Sequence, residues 1–375
     1  MSDTVTICTV IICKNESEII KRCLDSTKFA SDFWCVCDTG STDNTVELIQ
    51  EWFEENEIKN EGKVCNHKWV NFGHNRSLSI VTAKNEFPKA TYHLHIDCDM
   101  ILKVGDKFDK NKLTRPSYNI TQKNGQMSYD NTRLTKSCYS WRSVGVTHEY
   151  LSAPGVSTRD HLGRDVIWID DRNDGGCKAD KFVRDYRLLK QGIKDEPKNI
   201  RYYFYIAQTS LCLGRYKEAI EWYNKRIAMG GYHEEIFYSY YKIGDCYQAL
   251  KDWPNAHQAY LSGYNHTPSR SETLYEIVKH YRILDGQHKI AALYAKLAMK
   301  IKKPTDLYLF IQDTVYDYEC AYEYSVIAYY IGDISGGIEA SIRVLDSAAP
   351  NTLKNSVKTN FKFYKNGNYL KILGY

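Results

Sequence analysis

The hydrophobic period of this chain changes near residue 200, and that change limits the folds open to it. Ahead of it, strand-length apolar runs alternate with helix-length amphipathic stretches. Val5 to Ile12 reads as a buried strand, and Ile19, Ile20, Cys23 and Leu24 then fall on one helical face. Phe33 to Cys37 is the next strand. It ends at Asp38-Thr39-Gly40-Ser41-Thr42-Asp43-Asn44-Thr45, where a second helix starts with Val46, Leu48, Ile49, Trp52 and Phe53 as its apolar positions. Strand–helix–strand–helix order predicts a mostly parallel sheet. Beyond residue 200 the pattern is helical throughout, with a period in the mid-thirties. The expected organisation is an α/β domain over residues 1–195 and an all-α repeat domain over 196–375.

Composition excludes several classes. The chain has 375 residues, 26% of them charged, and a net charge of +4 with no Lys/Arg block, so a nucleic-acid partner is not indicated. No run approaches the ~18 apolar residues of a membrane-spanning helix. The 12 cysteines include no C-x-x-C pair, and Cys35 and Cys37 alternate within a strand like small core residues. Met1-Ser2-Asp3-Thr4 runs directly into the first strand. The expectation is reduced thiols and a cytoplasmic protein.

The candidate chemistry sits at strand ends. Tyr92-His93-Leu94-His95-Ile96 reads as a strand closed by Asp97-Cys98-Asp99. Residues i and i+2 of a strand share a face, so both carboxylates reach one object. A divalent cation bridging to phosphate oxygens is the natural candidate, since Mg²⁺ and Mn²⁺ take one or two carboxylates plus substrate phosphates. Asp38 and Asp97 both end strands of a parallel sheet and belong on its ligand-binding rim. Ser41 and Asp43 suit helix caps, which leaves the Asp38 carboxylate for a base N–H or ribose hydroxyls.

These segments carry a resemblance. Ile12-Cys13-Lys14-Asn15-Glu16, Arg22-Cys23-Leu24-Asp25-Ser26 and the run from Asp38 to Thr45 closely resemble the family 2 glycosyltransferases of GT-A fold, which transfer sugar from a nucleoside diphosphate with inversion. Asn71-Phe72-Gly73-His74-Asn75-Arg76-Ser77 is similar to a helix-opening Asn-Arg segment of that family. The resemblance spans roughly residues 5–190. It implies a UDP-sugar donor held by Asn15, Glu16, Asp38, Arg76 and Asp97, and Mn²⁺ or Mg²⁺ held by Asp99 with Asp97. Lys178, beside Gly175-Gly176, suits a loop that covers the diphosphate. Trp141-Arg142-Ser143-Val144-Gly145-Val146-Thr147-His148-Glu149 has the form of the family's acceptor-side segment. It implies Glu149 as base and His148 as metal ligand or phosphate contact. Where many relatives end a later strand in a His ligand, this chain has Asp170-Asp171-Arg172. Those carboxylates replace the His, or one of them is the base instead of Glu149.

The C-terminal half resembles tetratricopeptide repeats. Tyr240, Ile243, Gly244, Tyr247, Trp253, Ala256, Tyr260 and Pro268 fit the repeat, and Tyr203, Tyr216, Ala219 and Tyr223 precede their counterparts by 37 residues. Gly286, Ala291, Ala295 and Ala298 form a looser third unit, and 319–350 a fourth. Most of the 31 tyrosines fall here and read as packing. Arg201, Gln208, His233 and Glu234 are polar beyond what packing requires, and mark a platform for a glycan or protein acceptor or a homodimer surface. The competing reading is a non-catalytic repeat scaffold with a relic GT-A domain.

Overall fold

The structure is a computed structural model and describes residues 4–58, 60–124, 127–157, 159–175, 180–307 and 309–364. The chain forms two compact units, Met1–Glu196 and Pro197–Tyr375.

The first unit opens with β1 (Ile7–Cys13), α1 (Ile20–Thr27), β2 (Phe33–Asp38), α2 (Thr45–Glu55), β3 (Gly62–Asn66), α3 (Phe72–Glu86) and β4 (Tyr92–His95). It continues through β5 (Met100–Val104), β6 (Ser117–Asn124), β7 (Met127–Lys136), β8 (Arg142–Val144), β9 (Tyr150–Ser152), β10 (Asp160–Leu162), β11 (Ile167–Asp171) and α4 (Lys181–Asp195). The main sheet has the order β3-β2-β1-β4-β7-β6-β11-β5, with β10 beside β6. β1 pairs in parallel with β2 and β4, and β2 with β3. β7 then runs antiparallel to both β4 and β6. The unit is thus a Rossmann-like, mostly parallel sheet with antiparallel strands on its far side. The parallel run branches both ways from β1, so a crevice opens beyond the ends of β1 and β4. Cys13 lies opposite Asp38, and Val10 opposite His95, which brings the segments after all three strands to one rim.

Apolar burial fixes this register. Ile11, Val36, Leu94, Ile96, Trp34 and Trp52 are buried in one core. The two indoles find acceptors there: Trp34 Nε1 donates to Thr27 Oγ1 at 2.9 Å and Trp52 Nε1 to Asp25 at 2.8 Å. Cys8, Cys35 and Cys37 fill the opposite face of the sheet against Ala83 and Phe87.

The second unit is all helix: α5 (Ile200–Cys212), α6 (Tyr216–Ala228), α7 (His233–Ala249), α8 (Trp253–His266), α9 (Glu272–Arg282), α10 (His288–Lys300), α11 (Cys320–Ile331), α12 (Ile334–Asp346) and α13 (Asn351–Asn360). Successive helices pair as hairpins. Small residues set the approach: a Cβ on Gly244 would lie 2.3 Å from the Tyr260 ring. Gly214 and Gly332 turn the chain between paired helices at φ +71° and +73°, conformations that favour glycine. The third and fourth hairpins, α9–α10 and α11–α12, are complete. A longer connection, residues 301–319, separates them.

Candidate active site

Two clefts meet at the carboxyl rim of the sheet. The first holds about 400 Å³ and is lined by the β1 end (Ile12, Cys13, Lys14, Glu16), Thr39, Trp69, Cys98, Asp99, Asp171 and Gly175. The second holds about 320 Å³ and is lined by His95, Asn119, Asn131, Arg133, Thr147, His148, Glu149 and Arg159 among others. Phe72, Arg76, Asp97, Lys181 and Arg184 line both.

Arg76 is the hinge of the site. Its Nε donates to Glu149 and its second guanidinium nitrogen to Asp97. The forked guanidinium suits this double engagement. The helix that presents Arg76 is fixed at its start. Asn71 caps α3 by accepting from His74 N at 2.8 Å. Asn75 is fully buried and ties the preceding loop down, accepting from Val70 N at 2.9 Å and donating to Lys68 O at 3.0 Å. Gly73 lets the turn between β8 and β9 come close: a Cβ there would lie 2.2 Å from the Gly145 carbonyl oxygen. That turn carries Glu149, so a residue without a side chain sets the Arg76–Glu149 spacing.

Asp97 also accepts from Arg133, at 3.3 Å, and Arg133 is itself held by Gln122 at 2.9 Å. Burial works to raise the Asp97 carboxyl, but Arg76 and Arg133 prevail and hold it at about 2. Burial opposes the charge on Arg76, and Asp97 and Glu149 more than restore it. His95, on the strand before Asp97, is pushed well below its ordinary range by burial and then by neighbouring His93 and Arg133. It is a neutral imidazole bonded to Thr135 Oγ1 at 2.8 Å. Burial pushes the thiols of Cys13, Cys23 and Cys98 up, so they stay protonated and poor nucleophiles.

The sequence candidates distribute unevenly over this geometry. Glu16, Arg76, Asp97 and Asp99 meet at the first cleft, and His148 and Glu149 join Arg76 and Asp97 at the second. His148 takes a left-handed backbone, φ +50°. Asp171 lines the first cleft, 3.4 Å from the Tyr129 hydroxyl, whereas Asp170 lines neither and pairs with Arg172 at 3.4 Å. Asp38 is only 5% exposed and organises a turn: it accepts from Gly40 N at 2.9 Å, from Ser41 N at 3.0 Å and from Ser41 Oγ. Asn15 bridges two loops, donating from its own N–H to Ser41 Oγ at 2.9 Å and accepting from Thr42 N at 2.7 Å. Neither Asn15 nor Asp38 is among the side chains that line the two clefts, whereas the adjoining Lys14, Glu16 and Thr39 line the first. Lys178 lies outside the described residues. Trp141 packs in a small core with Ile80, Leu151 and Ala153.

Arg133, Lys181 and Arg184 escape the sequence reading. For Arg133 there is a signal: Ser128 to Arg133 is almost wholly polar, yet it forms a strand in the middle of a sheet. Such a strand must line a wet cavity on one face. Lys181 and Arg184 stand one helical turn apart at the start of α4, and no motif marks them.

The donor set suits a hard cation in kind. Glu16 and Asp99 carboxylates converge on one point beside Gly175, within 3.3 and 3.5 Å of where its Cβ would stand. Oxygen ligands match Mg²⁺ or Mn²⁺. Among the described residues no three His, Cys, Asp or Glu side chains are already spaced to hold an ion. Two arginines occupy Asp97 instead.

Residues 8–105 match the sequence model for glycosyl transferase family 2. The chain is similar to the SPbeta prophage-derived glycosyltransferase SunS of Bacillus subtilis strain 168 and to glycosyltransferase SunS of Bacillus phage SPbeta, 26% identical to each over 242 residues. That alignment takes in 60% of this chain and 54% of each relative, so the match spans about half the length of these curated relatives. Among solved structures, a tetratricopeptide repeat protein from Parabacteroides merdae aligns at 12% identity and TM-score 0.37, over 51% of this chain and 70% of that one. The C-terminal part of a repeat protein from Cytophaga hutchinsonii aligns at 14% and 0.37, over 52% and 69%. The family 2 glycosyl transferase match thus falls within the Rossmann-like unit, and the second unit is an array of helix hairpins.

Proposed function

We propose that the chain is a metal-dependent, inverting glycosyltransferase that moves a sugar from a nucleoside diphosphate, a UDP-sugar by family likeness, to an acceptor hydroxyl on a glycan or protein. The observation that carries this reading is the contact of one guanidinium with Asp97, which lines both clefts, and with Glu149, which lines the second. Donor and acceptor then meet where Arg76 stands.

The donor occupies the cleft at the ends of β1 and β4. Lys14, Lys181 and Arg184 line it and supply positive charge for a diphosphate. A bound Mg²⁺ or Mn²⁺, held by Asp99 with Asp97 or Glu16, would neutralise charge on the departing diphosphate. Asp97 is ionised at any working pH, because Arg76 and Arg133 hold its proton affinity down. The acceptor enters the second cleft, where Asn119, Asn131 and Thr147 offer neutral hydrogen bonds. Glu149 removes the acceptor proton at a carboxylate oxygen as the sugar carbon is attacked. Its place beside Arg76 favours it over Asp171, which faces the donor cleft, and over Asp170, which lines neither. The protonated buried thiols offer no covalent nucleophile, in keeping with a single inverting displacement.

The test is a thermal-shift and hydrolysis screen of nucleotide sugars with Mn²⁺ or Mg²⁺, wild type beside Asp99→Asn and Glu149→Gln. One UDP-sugar should stabilise the wild type only with metal, and Asp99→Asn should abolish the shift. Glu149→Gln should keep the shift and lose about 10²-fold or more of transfer. No response to any nucleotide sugar refutes the reading and leaves the repeat-scaffold alternative.

A further inference from the structure

α4 places a carboxylate where packing calls for an apolar side chain. Its buried stripe is Asp185, Leu189 and Gly192, spaced i, i+4 and i+7. Asp185 is only 2% exposed, and its Oδ1 has no hydrogen-bond partner among the described residues. Arg184 Nε stands 3.5 Å from that oxygen, beyond the reach of a charge-assisted hydrogen bond. A buried carboxylate held so loosely is costly to the fold. Asp185 lines the second cleft.

A second side chain of that cleft is in the same state. Ser143 is 8% exposed, and its Oγ has no hydrogen-bond partner among the described residues. Its backbone is fixed, so the hydroxyl is not loose: Ser143 N donates to Ser77 Oγ at 2.9 Å, and Ser77 Oγ donates to Ser143 O at 3.2 Å. Other polar groups of the cleft are engaged by the protein itself. Thr121 Oγ1 donates to Asp130 at 2.8 Å, and Thr132 Oγ1 donates to Asn119 at 2.9 Å. Asp185 and Ser143 are thus left to a ligand.

The missing partners define its chemistry. A carboxylate needs donors, and a serine hydroxyl takes either a donor or an acceptor. A ligand displaces water from such places at least cost when it repeats water's hydrogen bonds, and a hydroxyl does so. Charge disfavours ionic ligands. Arg159, Lys181 and Arg184 line the same cleft and would repel an ammonium, while Glu149 and Asp130 would oppose a carboxylate. Tyr150 also lines it, 42% exposed, and offers an aromatic surface to the C–H face of a sugar ring. We propose that Asp185 and Ser143 form a hydroxyl-binding subsite of the second cleft that selects a neutral carbohydrate as the acceptor. The inference rests on the transferase reading for its place in a reaction, but carbohydrate binding is measured without a donor.

The experiment is isothermal calorimetry and saturation-transfer NMR on the full chain. The probes are neutral methyl glycosides of glucose, galactose and N-acetylglucosamine, with the methyl glycosides of glucuronic acid and glucosamine as anionic and cationic counterparts. At least one neutral glycoside should bind the wild type, more tightly than either charged one. Asp185→Leu, close in size, should weaken that binding roughly ten- to hundredfold, the worth of a hydrogen bond to a charged group, without lowering the thermal midpoint. A merely structural carboxylate would give the reverse, a lowered midpoint with binding unchanged. Asp185→Asn keeps one acceptor oxygen and should fall between, and Ser143→Ala should weaken binding several-fold. The proposal is overturned if no neutral glycoside binds the wild type, or if Asp185→Leu binds it equally well. Should the leucine variant fail to fold, equal binding by both Asp185→Asn and Ser143→Ala overturns it. A nucleotide-sugar response with no glycoside binding removes this subsite and spares the transferase reading. Glycoside binding that these variants lose, with no nucleotide-sugar response, supports the subsite while the transferase reading fails.

Discussion

Gly73→Ala adds one methyl group to the first turn of α3, and the geometry states what it meets. The new Cβ would stand 2.2 Å from the Gly145 carbonyl oxygen, 3.1 Å from its carbon and 3.2 Å from the Ser143 carbonyl oxygen. All three are backbone atoms, so no side chain can swing aside. Relief requires α3 or the β8–β9 turn to shift by about 1 Å, the gap between 2.2 Å and an ordinary contact. Overpacking of this kind costs ~1–3 kcal/mol. Alanine's better helix propensity returns at most ~1 kcal/mol. The net expectation is a loss of about 1–2 kcal/mol in urea unfolding. The catalytic effect should be larger, because α3 carries Arg76 and the turn carries Glu149. A 1 Å misplacement costs on the order of 10²-fold in rate. Turnover, read as nucleoside diphosphate release, should therefore fall about 10²-fold in a protein that stays folded. Lys84→Ala, near the other end of α3, is the control and should change neither. A Gly73→Ala protein within ~0.5 kcal/mol of wild type and equally active would refute the claim that this contact sets the site.

Asp97, held at about 2 against an ordinary 3.8, contributes stability of about 2 kcal/mol above pH ~4 that is lost as pH falls towards 2. Asp97→Asn should flatten that acid loss, and an unchanged acid limb in urea melts would count against the Arg76–Asp97–Arg133 network. His93 is buried with neither ring nitrogen bonded, and burial, then Lys84, lowers it to about 4. The unfolded chain takes up that proton near pH 6.5 and the folded chain does not. Stability should therefore fall as pH drops from 6.5 towards 4, and His93→Leu should remove that slope; parallel pH profiles would sink the assignment. Gly244→Ala drives a methyl into the buried Tyr260 ring and should cost the repeat unit ~1–3 kcal/mol, read as a lowered thermal midpoint. Arg76→Lys keeps the charge but loses the fork, so the fold should survive while transfer drops by about 10²-fold; near wild-type transfer would show that charge alone suffices.

The periods legible in the sequence are those that burial enforces. Val5 to Ile12 and Phe33 to Cys37 are apolar because both faces of a parallel strand are covered, and the 37-residue step between Tyr223 and Tyr260 survives because each ring fills a helix–helix seam. Asp97, Asp99 and Arg76 were legible because short motifs place them at element ends. What stayed hidden depends on contacts across long stretches of chain. The turn that Asp38 organises was hidden in this way: the backbone N–H groups of Gly40 and Ser41 fold back onto its carboxylate. No pattern in residues 38–45 separates a carboxylate that binds a nucleotide from one that shapes the loop beside it. Arg133 joins Asp97 only because β7 reverses direction beside β4, and strand order is not written in either strand. Residues 301–319 carry no repeat signal, and their seat on Arg270 and Glu234 rests on partners 39 and 75 residues away.

The charge balance at the meeting of the clefts bears on how such a site would work. Arg76 and Arg133 face Asp97 and Glu149, two cations against two anions, all largely removed from water. Buried charges persist only when paired. The cluster is neutral in itself, so it is stable without a donor, but neither carboxylate is then at liberty. A diphosphate brought to Arg76 would draw the guanidinium towards stronger acceptors, and Lys181 and Arg184 at the same mouth would help to balance the added charge. Released from Arg76, the Glu149 carboxylate would be at liberty to meet an acceptor hydroxyl. On the proposed reading, the contact that silences the base in the resting site is the one that donor binding breaks.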